Sequence, residues 1–293
     1  MGRGDFAAVL ESIGTRTSGG ETLMSDVTPS EAANAYWGRD GLAQAILNGL
    51  AADGKDLDRL TVDDLASLDQ FHNGGKGSTL RLARLADLTP GTRVLDVGGG
   101  IGGPARTLVA EFGCVVTLVD PTVTYVQASE ALTAHLGLSD RLTHKIGSAL
   151  DLPIEDGAFD VVWTQNSGMN IDDKERLYAE FHRVLRPGGR LAIQEPMAGP
   201  VQPVIFPVMW ARDASTSFLR SPSEMRATIV AAGFRVLAWD DITGENPSTG
   251  GSAPASSIQR LVMGDWLNEM TEPNRRNSEE RRLLSVQAVC ERA

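Results

Sequence analysis

From residue 93 onward the chain alternates between two periods. Runs rich in valine, leucine and isoleucine occupy 93–97, 115–120, 142–146, 159–164, 190–195 and 234–239. Between most of them, near 103–112, 123–136, 173–186 and 223–232, apolar residues recur at helical spacing. A short apolar run followed by an amphipathic helix needs a crossover to reach the next strand. The pattern therefore predicts an α/β fold, a parallel sheet with helices on both faces. The tail "LLSVQAVCER" fits both a strand and a helix period, and is read as a last strand.

Ahead of this repeat the signals are helical. Thr28-Pro29-Ser30-Glu31 has a cap residue, an N-terminal proline and a capping-box acid. It predicts a helix that carries Tyr36 and Trp37, pauses at Gly38 and Gly41, and resumes through Leu42, Ile46 and Leu50. Thr61 and Asp64 repeat the capping pattern before "VDDLASLDQF". The loop "HNGGKGS" follows, then a helix "TLRLARLADL" that Pro90-Gly91 ends. The organisation expected is a flexible arm over 1–27, an N-terminal helical lid over 28–78 and the sheet domain over 79–293. Residues 196–222, apolar and proline-rich, read as a cap insertion after strand five, and 243–257 as a flexible tract.

Composition narrows the function classes. Over 293 residues, 27 basic against 38 acidic side chains give a net charge of −11, opposite in sign to a nucleic-acid footprint. No stretch approaches the roughly 18 apolar residues of a membrane span. The two cysteines, Cys114 and Cys290, form no CxxC pair, and the four histidines show no metal-ligand spacing. A cytoplasmic protein without metal is expected, with a small-molecule partner; a homo-oligomer is compatible with this reading.

The chemistry concentrates in "VLDVGGGIGGPA", residues 94–105. So much glycine implies a backbone approached closely. Gly98, Gly100 and Gly103 satisfy G-x-G-x-x-G, the dinucleotide fingerprint, with Asp120 where an acid could hold a ribose. Asp96, Gly98, Gly100 and Gly102 equally satisfy D-x-G-x-G-x-G. A carboxylate at Asp96 would repel a pyrophosphate and attract an ammonium, which favours a ligand with an amino acid at one end.

Together with "VVTLVD", "GSALDLPIEDGAFDVVWTQN" and "HRVLRPGGRLAIQE", that stretch resembles the class I S-adenosylmethionine-dependent methyltransferases of the type 11 kind, over roughly 75–240. The resemblance implies a Rossmann-like sheet and S-adenosylmethionine as cofactor, with S-adenosylhomocysteine as product. It carries Asp96, Gly98, Gly100 and Gly102 to the cofactor's methionine part. Asp120, with Pro121 after it, falls to the ribose, and Ser148, Ala149 and Leu150 to the adenine edge. Gln165 falls to the segment facing the transferring methyl. Where members often read "GDA", this chain has Gly147-Ser148-Ala149, and Ser148 is the weaker acceptor for an adenine amine. "LDQFHNGGKGST", "WTQNSGMNI" and "FLRSPSEMRATIVAAGF" are similar to sarcosine/dimethylglycine N-methyltransferases, in a branch that includes tocopherol- and sterol-type enzymes.

The function expected is methyl transfer to a small molecule, first to an amine nitrogen. An O- or C-methyltransferase of secondary metabolism is the nearest alternative. An NAD-dependent oxidoreductase and a methyltransferase fold with repurposed chemistry are rivals of other classes. His72, in the glycine loop, is the candidate general base, against a loop histidine bonded to backbone. Gln70 and Phe71 share its argument. Asn166, Met169 and Asn170 follow strand four at the sheet edge where ligands sit in such folds, although short polar residues also serve loops. Glu195 could orient an acceptor or pair with a cap arginine. Tyr36 and Trp37 could face a sulfonium, and Trp210 and Phe218 could line the cap; each has core packing as its plainer reading.

Overall fold

The computed structural model describes residues 41–245 and 268–293. The arm over 1–27, the helix start at Thr28, Tyr36 and Trp37, and most of the 243–257 tract lie outside the described residues. Seven strands form one sheet: β1 Arg93–Val97, β2 Val115–Asp120, β3 Leu142–Ile146, β4 Phe159–Gln165, β5 Leu185–Ala198, β6 Phe234–Asp241 and β7 Leu283–Arg292. Their order is β3-β2-β1-β4-β5-β7-β6. The first five pair in parallel, as the alternation predicts. The tail is indeed a strand, and β7 pairs antiparallel with both β5 and β6. It therefore runs against the other six, and the sheet is mixed rather than purely parallel.

The helices are α1 Leu42–Ala52, α2 Val62–Asp69, α3 Gly75–Leu85, α4 Gly103–Phe112, α5 Val123–His135, α6 Lys174–Val184, α7 Pro222–Ala231 and α8 Thr271–Glu279. The Thr61 box closes as read: Thr61 accepts from the Asp64 amide, and Asp64 accepts from the Thr61 amide at 2.9 Å. One boundary differs. Helix α3 begins at Gly75, where a loop to 78 was expected. Gly74 makes the turn at φ 83°, and Ser78 and Thr79 are then buried on the sheet side. Tertiary contact outweighs the low helix propensity of Gly75 and Gly77. The helix thus crosses the 78/79 boundary drawn between lid and domain.

Alternate strand residues feed opposite layers. Leu95, Val97, Val162, Leu191 and Ile193 pack with α6 and α7 residues such as Leu177, Phe181 and Ile229. Val94, Val116, Leu118, Val161 and Trp163 pack with Leu82, Leu108 and Val126 of α3, α4 and α5, and Cys114 is a plain member of that core. Asp96, Asp120 and Gln165 stand two residues beyond Val94, Leu118 and Trp163. They share that second face but lie at the strands' carboxyl ends, with α3 reaching Gln165 through Thr79. Helices α1 and α2 pack through Ile46, Leu65 and Leu68 against Ile101 and Tyr125. The segment between β5 and α7 packs Val208, Trp210 and Ala211 on Met169, just after β4.

Candidate functional site

A cavity of about 230 Å³ opens at the carboxyl ends of β1, β2 and β4. Its wall includes Asp96, Gly98, Gly100, Asp120, Pro121, Ser148, Ala149, Leu150 and Gln165, nine of the predicted cofactor residues. Phe71, His72, Asn166, Met169, Asn170 and Trp210 join them from the predicted catalytic and acceptor set. Among the described residues, four predicted ones stand outside it. Gly102 packs under Ser129 and Arg106. The Gln70 side chain is tied to Thr107, Thr79 and His72. Phe218 donates its amide to the Met169 carbonyl at 2.9 Å.

Glu195, the fourth, is buried behind the loop after β4. Its Oε1 accepts from the amides of Gly168 at 2.9 Å and Ser167 at 3.3 Å. Burial pushes its pKa up, against those amides and nearby Lys174. It shapes the loop rather than pairing with a cap arginine. Lys174 holds the same loop from the other side: its buried ammonium donates to the carbonyls of Gly168, Ile171 and Phe218. Nothing in "DDKERL" marks that lysine as buried. Ser167, which follows strand four with Asn166, lines the cavity too, and so do Asp69, Tyr125 and Met209, which were not read from the sequence as site residues. Asp69 and Ser167 lay inside quoted motifs.

The floor of the cleft is anionic. Asp96 is 2% exposed, and its Oδ2 has no hydrogen-bond partner. Burial, then the nearby Asp120 charge, raises its pKa to about 7. Asp120 accepts from the Gly100 amide at 2.9 Å and the Thr122 amide at 2.8 Å, yet burial still raises its pKa. Two desolvated carboxyl groups at one turn suit a cation and hydroxyl donors, and oppose a diphosphate.

The glycines supply closeness. A Cβ on Gly98 would sit 2.3 Å from the Ser167 side chain, so only glycine lets β1 and the β4 loop meet there. At Gly103 a Cβ would lie 2.1 Å from the Asp69 carbonyl oxygen and 2.6 Å from its Oδ1, so the end of α2 packs directly on the first residue of α4. The choice between the two motif readings rests on the buried carboxyl groups of Asp96 and Asp120.

His72 is 5% exposed. Its Nε2 lies 2.9 Å from Gln70 Oε1 and 3.1 Å from Thr79 Oγ1. Desolvation lowers its pKa to about 4, so it is neutral near pH 7. Among the described residues no helix is long and apolar enough to cross a membrane.

Residues 95–193 match the methyltransferase domain family. Over 118 residues the chain is 41% identical to glycine/sarcosine/dimethylglycine N-methyltransferase of Actinopolyspora halophila, covering 40% of this chain and 21% of that protein. The match thus spans about a fifth of that relative's length. Sarcosine/dimethylglycine N-methyltransferase of Halorhodospira halochloris is 29% identical over 233 residues, 78% of this chain and 77% of that one. Among solved structures, the [4+2]-cyclase SpnF aligns with a TM-score of 0.65 at 20% identity, covering 90% of this chain and 96% of that one. That likeness is one of fold.

Proposed function

As the chain belongs to the class I S-adenosylmethionine-dependent methyltransferases, we propose that its cleft binds S-adenosylmethionine and serves methyl transfer to a small amine. The observation that carries the reading is the pair of buried carboxyl groups, Asp96 and Asp120, at a turn too tight for side chains. S-adenosylmethionine supplies, when bound, a methyl group activated on a sulfonium, and the protein's part is position and electrostatics. Asp96 attracts the ligand's ammonium, and Asp120 accepts from its ribose hydroxyls. Ser148, Ala149 and Leu150 edge the adenine. Gln165 and Asn166 face the reacting side, with Met169, Asn170 and Trp210 beyond them toward the acceptor. The segment 196–222 acts as a cap through Trp210 and its neighbour Met209.

His72 has its place in this scheme as a neutral wall residue bonded to Gln70 and Gln165, not as a base. Its pKa of about 4 makes it too weak to strip an ammonium. The acceptor must then arrive as the free amine, which a cleft that desolvates charge also favours. The names of the two N-methyltransferase relatives support an amine.

Two measurements test this. At a hundredfold excess over its dissociation constant, S-adenosylhomocysteine stabilises the protein by about 2.7 kcal/mol, and NAD leaves the melting midpoint unchanged. A shift with NAD alone returns the oxidoreductase reading. In a panel of glycine-derived amines, phenols and terpenoids with labelled methyl donor, the label goes to an amine. Labelling only of oxygen or carbon acceptors overturns the amine assignment, and binding without any labelling points to repurposed chemistry.

A further inference from the structure

A row of amides crosses the sheet beside the cleft. Gln165 of β4 pairs in register with Gln194 of β5, Gln194 with Gln287 of β7, and Gln287 with Asp240 of β6. Gln194 and Gln287 are fully buried, and α3 lays Ser78, Thr79 and Arg81 over the row. A buried amide is tolerated when its nitrogen and oxygen find partners, and here each has at least one.

The direction of each amide is set by partners that can only give or only take. The Trp163 indole N–H can only donate, and it meets Gln165 Oε1 at 3.0 Å. Gln165 Nε2 therefore points the other way, 3.0 Å from Gln194 Oε1 and 3.4 Å from His72 Nδ1. The Asn73 carbonyl can only accept, and it takes Gln194 Nε2 at 2.7 Å. That leaves Gln194 Oε1 to receive Gln165, along with Ser78 Oγ at 2.7 Å and Gln287 Nε2 at 2.9 Å. At the far end Arg81, a donor only, meets Gln287 Oε1, and Gln287 Nε2 reaches the Ser78 carbonyl at 2.9 Å. Both ends impose the same orientation on Gln165.

The consequence falls on the imidazole. With an amide N–H facing Nδ1, the single proton of the neutral ring belongs on Nε2, where Gln70 Oε1 waits at 2.9 Å. The Asn73 carbonyl also lies 3.3 Å from Nδ1 and could accept a second bond beside that from Gln194, so the choice rests on the shorter 2.9 Å contact of Nε2 with the acceptor Gln70 Oε1. We propose that Gln194 is a positioning residue which, through Gln165, holds His72 as the Nε2–H tautomer with its Nδ1 lone pair facing the Gln165 amide. The inference deepens the methyl-transfer reading and rests on it only for the consequence to turnover.

Nitrogen NMR of the imidazoles in the full-length protein reads the tautomer without turnover. His72→Phe identifies the His72 signals among those of the four histidines. The wild type should show Nε2 protonated and Nδ1 bare. Gln194→Met keeps the Trp163 bond to Gln165 Oε1 but removes the acceptor of Gln165 Nε2, so the loosened amide should give mixed tautomers and lower kcat by about tenfold, with KM for the methyl donor within about twofold. A wild-type proton on Nδ1 overturns the proposal even if the variant fails to fold. So does a folded Gln194→Met protein with unchanged ring-nitrogen shifts. A correct tautomer in a protein that methylates nothing would count against the methyl-transfer reading alone.

Discussion

Replacing Asp96 by asparagine should make the ligand-free protein more stable above pH 7 while abolishing its response to S-adenosylhomocysteine. The carboxyl group is buried, with Oδ2 unpartnered, and the neighbouring Asp120 works against its ionisation. Its pKa of about 7 in the folded protein stands above the ordinary 3.8. A group whose folded pKa is raised binds its proton more tightly when folded. The stability it contributes is present below about pH 4, is lost as pH rises through about 7, and stays lost above. Asparagine keeps the shape and removes the charge. The expected gain at pH 8 is on the order of 2–4 kcal/mol, vanishing near pH 4. His72 and His144, both lowered to about 4 by burial, shift stability the opposite way: it is present above about 6.5 and lost as pH falls through about 4. They do so equally in both proteins, so the difference between urea midpoints isolates Asp96. Parallel pH dependences would sink the claim. The trade is physical: a desolvated anion destabilises the empty fold and is stabilised when a cation arrives beside it.

Much of the fold was legible because its signals are local. Strand and helix periods need only a window of residues, and the Thr61–Asp64 box is complete within four. The direction of β7 was not. Nothing in "LLSVQAVCER" states that it slides between β5 and β6, because that placement is decided by partners far away in the chain. The helical start at Gly75 was hidden for a related reason: two glycines read as loop until buried contacts from β5 and β7 hold Ser78.

The site divides along the same line. Asp96, the glycines and Asp120 sit at strand ends in a compact motif, and the cleft gathers them. Gln194 and Gln287 carried a signal that the reading passed over. Each is a polar residue at a core-facing position of an apolar strand, "LAIQE" and "LLSVQAV", and such a residue must have a buried partner. The partners themselves, Asn73 and Ser78, lie 121 and 209 positions away. Lys174 and the Arg106–Asp69 pair were illegible altogether, because each sits on an amphipathic helix where a charged residue normally marks the solvent face.

That pair sets the second large effect. Arg106→Met should destabilise the protein by about 3–5 kcal/mol. Arg106 and Asp69 join at 2.8 Å with side-chain exposures of 0% and 1%. The same guanidinium nitrogen also donates to the Ile101 carbonyl at 2.6 Å. The pair pins the end of α2 to α4, at the place where Gly103 leaves no room for a side chain. Methionine fills much of the volume but strands a buried carboxylate whose Oδ1 already lacks a partner. Burial raises the Asp69 pKa, and Arg106 is the main influence opposing that rise. A companion Asp69→Leu removes the stranded charge. The double variant should therefore recover part of the loss, a coupling of at least about 1 kcal/mol in a double-mutant cycle by urea unfolding. Strict additivity would show that the two residues stabilise independently and that α2 is held by its apolar contacts alone. Because Phe71 and His72 follow α2 directly and line the cleft, the single variant should also weaken S-adenosylhomocysteine binding, measurably so even at temperatures where it remains folded.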